Sequence, residues 1–115
     1  MRFKLIVFIL MAFAINSSCH EEYYEAELLI QVRGLLSGNP REGIAITVYE
    51  YPEDAEEGVY SIIPTTYTDY YGEVLIVGLE PGLDYYVRAD ALLVAKIKNT
   101  GRLSVGANHL TIRIL

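Results

Sequence analysis

The sequence predicts an all-β protein, a seven-stranded antiparallel Greek-key β-sandwich that follows an N-terminal signal peptide. Short segments in which every second residue is apolar recur along residues 27–115, and clusters of turn residues separate them. Tyrosine, which favours strands, occurs ten times. No amphipathic helical pattern lies between the alternating segments, so the sequence predicts strands alone.

Residues 65–89 predict three of these strands, joined by two tight turns. Asp69 and Gly72 occupy the first and last positions of a type I hairpin turn, which those residue types favour. Residues 80–82 (EPG) suit a second turn, because proline presets φ and glycine adopts the positive φ that a type II turn requires. The predicted inward residues are Val74, Ile76 and Leu79, followed by Tyr85, Val87 and Ala89.

The other strands are predicted by the same alternation. A third strand over residues 60–68 contains Pro64, which cannot donate to a ladder and therefore marks an edge or a bulge. Residues 51–58 (YPEDAEEG) are predicted as an acidic loop. The inward sets are Leu28, Ile30 and Val32; Ile44, Ile46 and Val48; Leu93, Ala95 and Ile97, set against Val94, Lys96 and Lys98; and Leu110, Ile112 and Ile114.

Charge excludes one class of partner. The 115 residues carry a formal charge of −6, and without Arg2 and Lys4 the balance is 7 basic against 15 acidic residues, or −8. Such a surface repels phosphate backbones, so we expect no nucleic-acid partner. The single cysteine, Cys19, cannot form an intramolecular disulfide, so the domain depends on its core for stability.

The N-terminus is typical of a secretory leader. Arg2 and Lys4 precede eleven apolar residues (5–15), and small residues follow before Cys19. A spanning helix needs about twenty apolar residues, so these eleven disfavour a permanent transmembrane anchor. The alternative to a cleaved signal peptide is a hydrophobic N-terminus that stays uncleaved. The sequence therefore predicts a lipoprotein signal peptide over residues 1–18, an acidic tether over 19–26 and the β-sandwich over 27–115.

The position of Cys19 directly after Ser17 and Ser18 resembles the lipobox of bacterial lipoproteins of the Bacteroidetes type, with Asn16 where Leu or Val is usual. The resemblance implies acyl chains such as palmitate on Cys19, hence a membrane partner. It also implies an outer-membrane location in the bacterial cell envelope, facing the periplasm or the cell surface. Acidic residues after the cysteine resemble surface-export signals, or form a plain charged linker. Ordinary cleavage near residues 12–14 is the alternative to lipidation, and would leave a free thiol.

Four segments resemble the carboxypeptidase regulatory-like family: residues 43–49 (GIAITVY), 65–72 (TTYTDYYG), 78–82 (GLEPG) and 85–89 (YYVRA). The resemblance implies a prealbumin-like, or transthyretin-like, sandwich over the whole mature domain. Val74 and Ile76 stand where the family has aromatic residues. Because these motifs are turns and core positions, they carry the fold and no chemistry.

No catalytic constellation is visible. Transthyretin-like urate-pathway hydrolases need several histidines and a C-terminal Tyr-Arg-Gly-Ser, whereas this chain has His20 and His109 and ends Thr-Ile-Arg-Ile-Leu. Isopeptide-forming relatives need a first-strand lysine, where this chain offers Gln31 and Arg33. Nucleophile–base sets, nucleotide loops and metal-ligand spacings are missing. We therefore expect no enzyme activity, cofactor or metal, and an acidic run at 53–57 that is solvated rather than bound to Ca²⁺.

A candidate binding surface follows from the alternation, because tyrosine and arginine are enriched at binding hot spots. The predicted outward residues are Tyr49, Tyr51, Tyr86, Arg88 and Arg113, with Tyr70 and Tyr71 at a turn tip. The alternative is that the tyrosines only favour strands. The sequence thus predicts a non-catalytic binding or structural module with a protein or glycan partner at the envelope. The alternatives are an accessory subunit of a fimbrial or glycan-uptake surface assembly, which accepts a partner strand at an edge, and a transthyretin-like enzyme.

Overall fold

The computed structural model describes residues 24–115. The predicted signal peptide, Cys19 and the first residues of the tether lie outside this range. No helix within it is long and apolar enough to span a bilayer. The elements are β1 (Ala26–Gly34), β2 (Ala45–Tyr49), α1 (Pro52–Glu57), β3 (Thr66–Tyr67), β4 (Glu73–Leu79), β5 (Tyr86–Asp90), β6 (Ala95–Asn99) and β7 (Gly106–Ile114).

The seven strands form two sheets, and the predicted β-sandwich is confirmed. The first sheet has the order β4-β1-β7 and the second the order β3-β2-β5-β6. All pairs are antiparallel except β1 and β7, which run parallel in register from Ala26–Gly106 to Gly34–Ile114. A parallel pair needs a long crossover, and here the whole intervening domain supplies it.

The core lies between the two sheets, where the alternating residues point. Leu28, Ile30 and Val32 of β1 are fully buried, as predicted, and face Ile46 and Val48 of β2 in one cluster. Burial of one such side chain contributes about 1.5–3 kcal/mol relative to leaving it in water. The central position of β1 in the first sheet makes it the main contributor from that layer.

The register assigns each connection to one end of the sandwich. In the first sheet Gly34 lies beside Ile114, and in the second Asp90 lies between Ala45 and Ala95. The end where β1 begins is called the proximal end, and the opposite one the distal end. Connections 35–44, 68–72 and 91–94 lie at the distal end, and connections 50–65, 80–85 and 100–105 at the proximal end.

Thr68 links two of the distal connections. Its hydroxyl accepts a hydrogen bond from the Ile44 N–H (2.9 Å) and donates one to the Arg41 carbonyl (2.6 Å). Its backbone N–H donates to the Ile44 carbonyl, and its carbonyl accepts from the Gly43 N–H. Thr68 is buried, so these groups have no access to water and the bonds fix connection 35–44 against the start of connection 68–72.

The predicted turn at Asp69 and Gly72 is confirmed. The Gly72 N–H donates to the Asp69 carbonyl (2.8 Å), while one Asp69 carboxylate oxygen accepts from the N–H groups of Tyr71 and Glu73. Gly72 has φ +74°, and a Cβ there would lie 2.6 Å from the Val32 carbonyl oxygen. The position therefore requires glycine for both its backbone conformation and its surroundings.

Residues 51–58 are not the loop that the sequence predicted, because they contain α1. Pro52 stands in the first turn, where its missing N–H costs nothing, and Glu53 and Asp54 complement the helix dipole there. Gly58 ends the helix with φ +73°, the left-handed conformation that glycine adopts readily. Six residues are too few to show a helical period, so the sequence pattern carries no signal of this helix.

The faces of β6 are reversed relative to the prediction. The strand begins at Ala95, and Leu93 lies in a tight turn closed by the Ala91 N–H and the Val94 carbonyl. This turn sets a register in which Lys96 and Lys98 lie opposite the buried Ala89 and Val87. The lysines therefore share the core-facing side at the edge of the sheet, where apolar residues were predicted, because a one-residue shift exchanges the faces of a strand. The third strand is also shorter than predicted, spanning Thr66–Tyr67 after Pro64.

Two glycine substitutions separate backbone conformation from steric contact. Gly78 has φ +77° like Gly72, but a Cβ there would meet no atom within 4 Å. We expect Gly78→Ala to lower the free energy of unfolding by about 1–2 kcal/mol and Gly72→Ala by at least about 3 kcal/mol, because the second also forces Val32 to move. Urea unfolding followed by circular dichroism measures both. Equal losses would contradict the tight contact at Val32.

Candidate functional site

Tyr70 and Tyr71 are displayed at the distal end, as predicted. Their side chains are 74% and 66% exposed. The ring centroids lie 5.4 Å apart with an interplanar angle of 84°, an edge-to-face arrangement that aromatic pairs favour. The Asp69 carboxylate fixes the backbone beneath them. The pair therefore forms an exposed aromatic surface on a turn whose backbone is held by hydrogen bonds.

Leucines from two other connections are exposed at the same end. Leu36 lies between β1 and β2, and Leu92 and Leu93 form the turn between β5 and β6; each is at least 90% exposed. The alternation of apolar residues did not predict these leucines as surface residues. The sequence does contain a signal for these turns, the adjacent leucines at 35–36 and 92–93, because two neighbouring apolar residues break the alternation of a strand. The distal apolar loops are Leu35, Leu36, Tyr70, Tyr71, Leu92, Leu93 and Leu115.

The prediction that Tyr49 lies on the binding surface is wrong. Its side chain points to the outer face of the second sheet but is only 2% exposed. Helix α1 packs on β2 and β5 on this face, burying Ala55, and the Tyr49 hydroxyl donates to the Thr47 hydroxyl at 2.9 Å. The alternation placed Tyr49 on the correct face, but it could not reveal that a helix covers that face.

Arg88 is engaged in holding α1 on the sheet. Its Nη1 donates to the carbonyls of Ala55 (2.8 Å) and Glu56 (2.9 Å), and its Nε donates to the Asp90 carboxylate (3.0 Å). A cation near the carbonyl end of a helix is favourable because it complements the dipole. Arg88 is therefore a structural residue here, and it does not join Tyr70 and Tyr71, which lie at the distal end.

The remaining predicted residues do not form one surface. Tyr51 is exposed immediately before α1, and Tyr86 is half-buried beside Tyr49 on β5. Arg113 is exposed near the end of β7. The predicted surface thus divides into a distal part with Tyr70 and Tyr71, a part on the outer face of the second sheet that α1 partly covers, and Arg113 on the first sheet.

Each open side of the sandwich carries a groove between the edge strands of the two sheets. The groove between β3 and β4 has a volume of about 400 Å³ and is called the apolar groove. Leu75 and Val77 of β4 are exposed beside it. It is lined by Ile63, Pro64, Thr65, Thr66, Leu75, Ile76 and Val77.

The groove between β6 and β7 has a different character. It has a volume of about 490 Å³ and is called the basic groove. The Lys98 ammonium reaches across it to the Thr111 carbonyl on β7, at 2.8 Å. Its lining residues are Leu35, Lys96, Lys98, Thr111 and Arg113.

His109 lies within β7 in a row of polar side chains across the outer face of the first sheet. Its Nε2 lies 3.0 Å from Gln31 Oε1, and Gln31 Nε2 donates to the Glu73 carboxylate at 2.7 Å. The imidazole thus contacts an amide rather than a hydroxyl that it could activate. Among residues 24–115, no three side chains of metal-ligand type gather at one point.

No protein-family model and no curated protein matches the chain. Among solved structures, the chain is similar to the crystal structure of a 9R-lipoxygenase from Cyanothece PCC8801, with a TM-score of 0.44 and 14% sequence identity. The similarity covers 79% of this chain and spans 16% of that chain. A likeness at this level carries no argument about activity.

Removal of Arg88 is expected to release α1. Arg88→Ala leaves two helix carbonyls and Asp90 without their donor, which should lower the free energy of unfolding by about 1–3 kcal/mol. Cleavage after the helix glutamates by a glutamyl endopeptidase should accelerate before global unfolding. Arg88→Lys, which lacks the planar fork, should be intermediate. Arg102→Ala, an exposed cation at the proximal end, is the matched control, and equal cleavage of both alanine variants would contradict this role.

Proposed function

We propose that the chain is a lipid-anchored protein of the bacterial cell envelope whose β-sandwich binds a partner without catalysis, through the distal apolar loops. The observation that carries the proposal is the exposure of Leu36, Leu92 and Leu93 at the same end of the sandwich as the exposed Tyr70–Tyr71 pair. Apolar side chains concentrated at one place on a surface mark an interaction site more often than isolated ones do.

The geometry of an anchored chain supports the distal end as the binding end. Six residues lie between Cys19 and Ala26, so the tether spans seven Cα–Cα steps and reaches at most about 25 Å. The nine residues of β1 extend the domain by about a further 30 Å from that point. A lipid on Cys19 would therefore hold the proximal end near the membrane and present the distal end to partners away from it.

The chemistry of the loops favours a protein partner. Leucines at several loop tips fit apolar pockets of another protein, and tyrosines supply rigid, amphipathic contact area. Tyrosine faces also stack on sugars, so a glycan remains the other outcome of the binding test. The side chains of these loops contain no nucleophile–base pair, which favours binding over catalysis.

A second candidate function is an accessory subunit of a fimbrial or glycan-uptake surface assembly. The supporting observation is β4, which ends its sheet with an unpaired edge and exposes Leu75 and Val77 beside the apolar groove. An extended partner segment could add to this edge and place its side chains in the groove. A lysine at Val77 would disfavour such pairing and leave binding at the distal loops intact.

Cell fractionation tests the lipid anchor, and protease shaving of intact cells tests the side of the membrane on which the domain lies. With lipid on Cys19, the wild-type protein should stay with the outer-membrane fraction, and Cys19→Ala should appear in the soluble fraction, because one thiol carries all the acyl chains. Loss of the domain from intact cells indicates the surface, and protection until the membrane is broken indicates the periplasm. Retention of Cys19→Ala in the membrane, or release of the wild type, would contradict the lipid anchor.

Site-specific photo-crosslinking in cells tests the distal loops. A photo-reactive residue at Leu93 should yield one discrete adduct, and Tyr70→Ala with Tyr71→Ala should reduce its yield at least about fivefold because hot-spot aromatics carry much of the binding energy. The same residue at Leu83, in a proximal connection, is the positional control. Equal adducts from both positions, or none from Leu93, would exclude binding at the distal end. Digestion with protease or glycosidase identifies the partner class.

A further inference from the structure

The basic groove concentrates positive charge in an acidic domain. Residues 24–115 contain 7 basic and 13 acidic residues, and three of the seven cations, Lys96, Lys98 and Arg113, line this one groove. Within the same range, the ion pair found joins Arg88 and Asp90, so the three groove cations have no carboxylate partner there. Cations gathered without their counter-charges form a surface that is complementary to an anion.

The groove is also bordered by two sheet edges. β6 ends the second sheet and β7 ends the first, so each pairs with a strand on one side only. The edge of β7 is partly engaged, because its Thr111 carbonyl accepts a hydrogen bond from the Lys98 ammonium. The five residues of β6 pair with β5 alone, which leaves their outward backbone groups available to an added strand.

The register directs the lysines toward that position. Lys96 and Lys98 lie opposite Ala89 and Val87, so both project from the core-facing side of β6 into the groove. Inward lysines at a sheet edge also prevent two copies of the edge from pairing, since like charges would meet. The same two lysines attract a strand that carries carboxylates. They therefore disfavour pairing between two copies of β6 and favour an acidic partner strand.

We propose that the basic groove binds an acidic segment of another protein in an extended conformation. The segment adds to β6 as a fifth strand of the second sheet. Its alternate side chains, aspartate or glutamate, face Lys96, Lys98 and Arg113, and its backbone pairs with the free edge. This surface shares Leu35 with the distal apolar loops but is formed by other residues otherwise, and the inference does not depend on the proposed function.

The test is a binding measurement on the full chain in nonionic detergent micelles. The probe is a fluorescein-labelled octapeptide of alternating glutamate and valine, followed by fluorescence anisotropy. Binding should weaken as salt is raised from about 50 to about 300 mM, because exposed charge pairs are screened over the Debye length. The same peptide with lysine in place of glutamate should not bind. Absence of binding by the acidic peptide would overturn the proposal.

Matched charge reversals locate the site. Lys96→Glu in the groove should weaken binding at least about fivefold, whereas Arg102→Glu, the same charge change on an exposed proximal residue, should stay within about twofold. Both residues are exposed, and unchanged thermal melts confirm that both variants fold. Equal effects of the two substitutions would show non-specific attraction and overturn the groove as the site.

Two further probes separate strand addition from simple charge attraction. Octapeptides N-methylated at all odd or all even positions keep their charge but lose alternate N–H donors, so one of the two should fail to bind. Equal binding of both would overturn the pairing with β6. Competition by polygalacturonate at the same charge concentration as the peptide would assign the groove to an acidic glycan and overturn the peptide proposal.

Discussion

The four hydrogen bonds of Thr68 are the constraint on which the distal end depends. Connection 35–44 leaves the first sheet and must enter the second at Ile44, and Thr68 binds both its Arg41 carbonyl and its Ile44 N–H. The Arg41 N–H also donates to the Val32 carbonyl of β1, so the connection between the two sheets is held from both sides at that end. The turn that carries Tyr70 and Tyr71 begins at the next residue, so the hydrogen bonds of Thr68 fix the point at which that turn starts.

The layers of the domain were predictable because period-two burial is a local property. The core face of β1 is predictable from Leu28, Ile30 and Val32 alone, because their alternation does not depend on which strands pair with β1. The Asp69–Gly72 turn was predictable for a related reason, since its signals lie within four residues. The parallel pairing of β1 and β7 was not predictable, because two strands at opposite ends of the sequence meet only when the whole sheet order is known.

The surface was less predictable because coverage is a tertiary property. Tyr49 and Arg88 lie on the face that alternation assigned to them, yet α1 covers the first and engages the second. Lys98 was predicted on the face opposite the inward residues, but the turn at Leu92 and Leu93 sets a register that differs from the prediction by one residue. The strand therefore carries this charge on its core-facing side. The exposure of Tyr70 and Tyr71 was predicted correctly, because a turn tip has no neighbour that could cover it.

The parallel β1–β7 pair gives the domain a mechanical direction. Ala26 lies at the proximal end and Ile114 at the distal end, with nine residue pairs between the two strands. Force applied to these two residues in opposite directions shears β1 along β7 and strains all the backbone hydrogen bonds between the two strands at once. Peeling a hairpin open would instead break such hydrogen bonds one at a time. The domain is therefore built to resist tension along the line from its proximal end to its distal end.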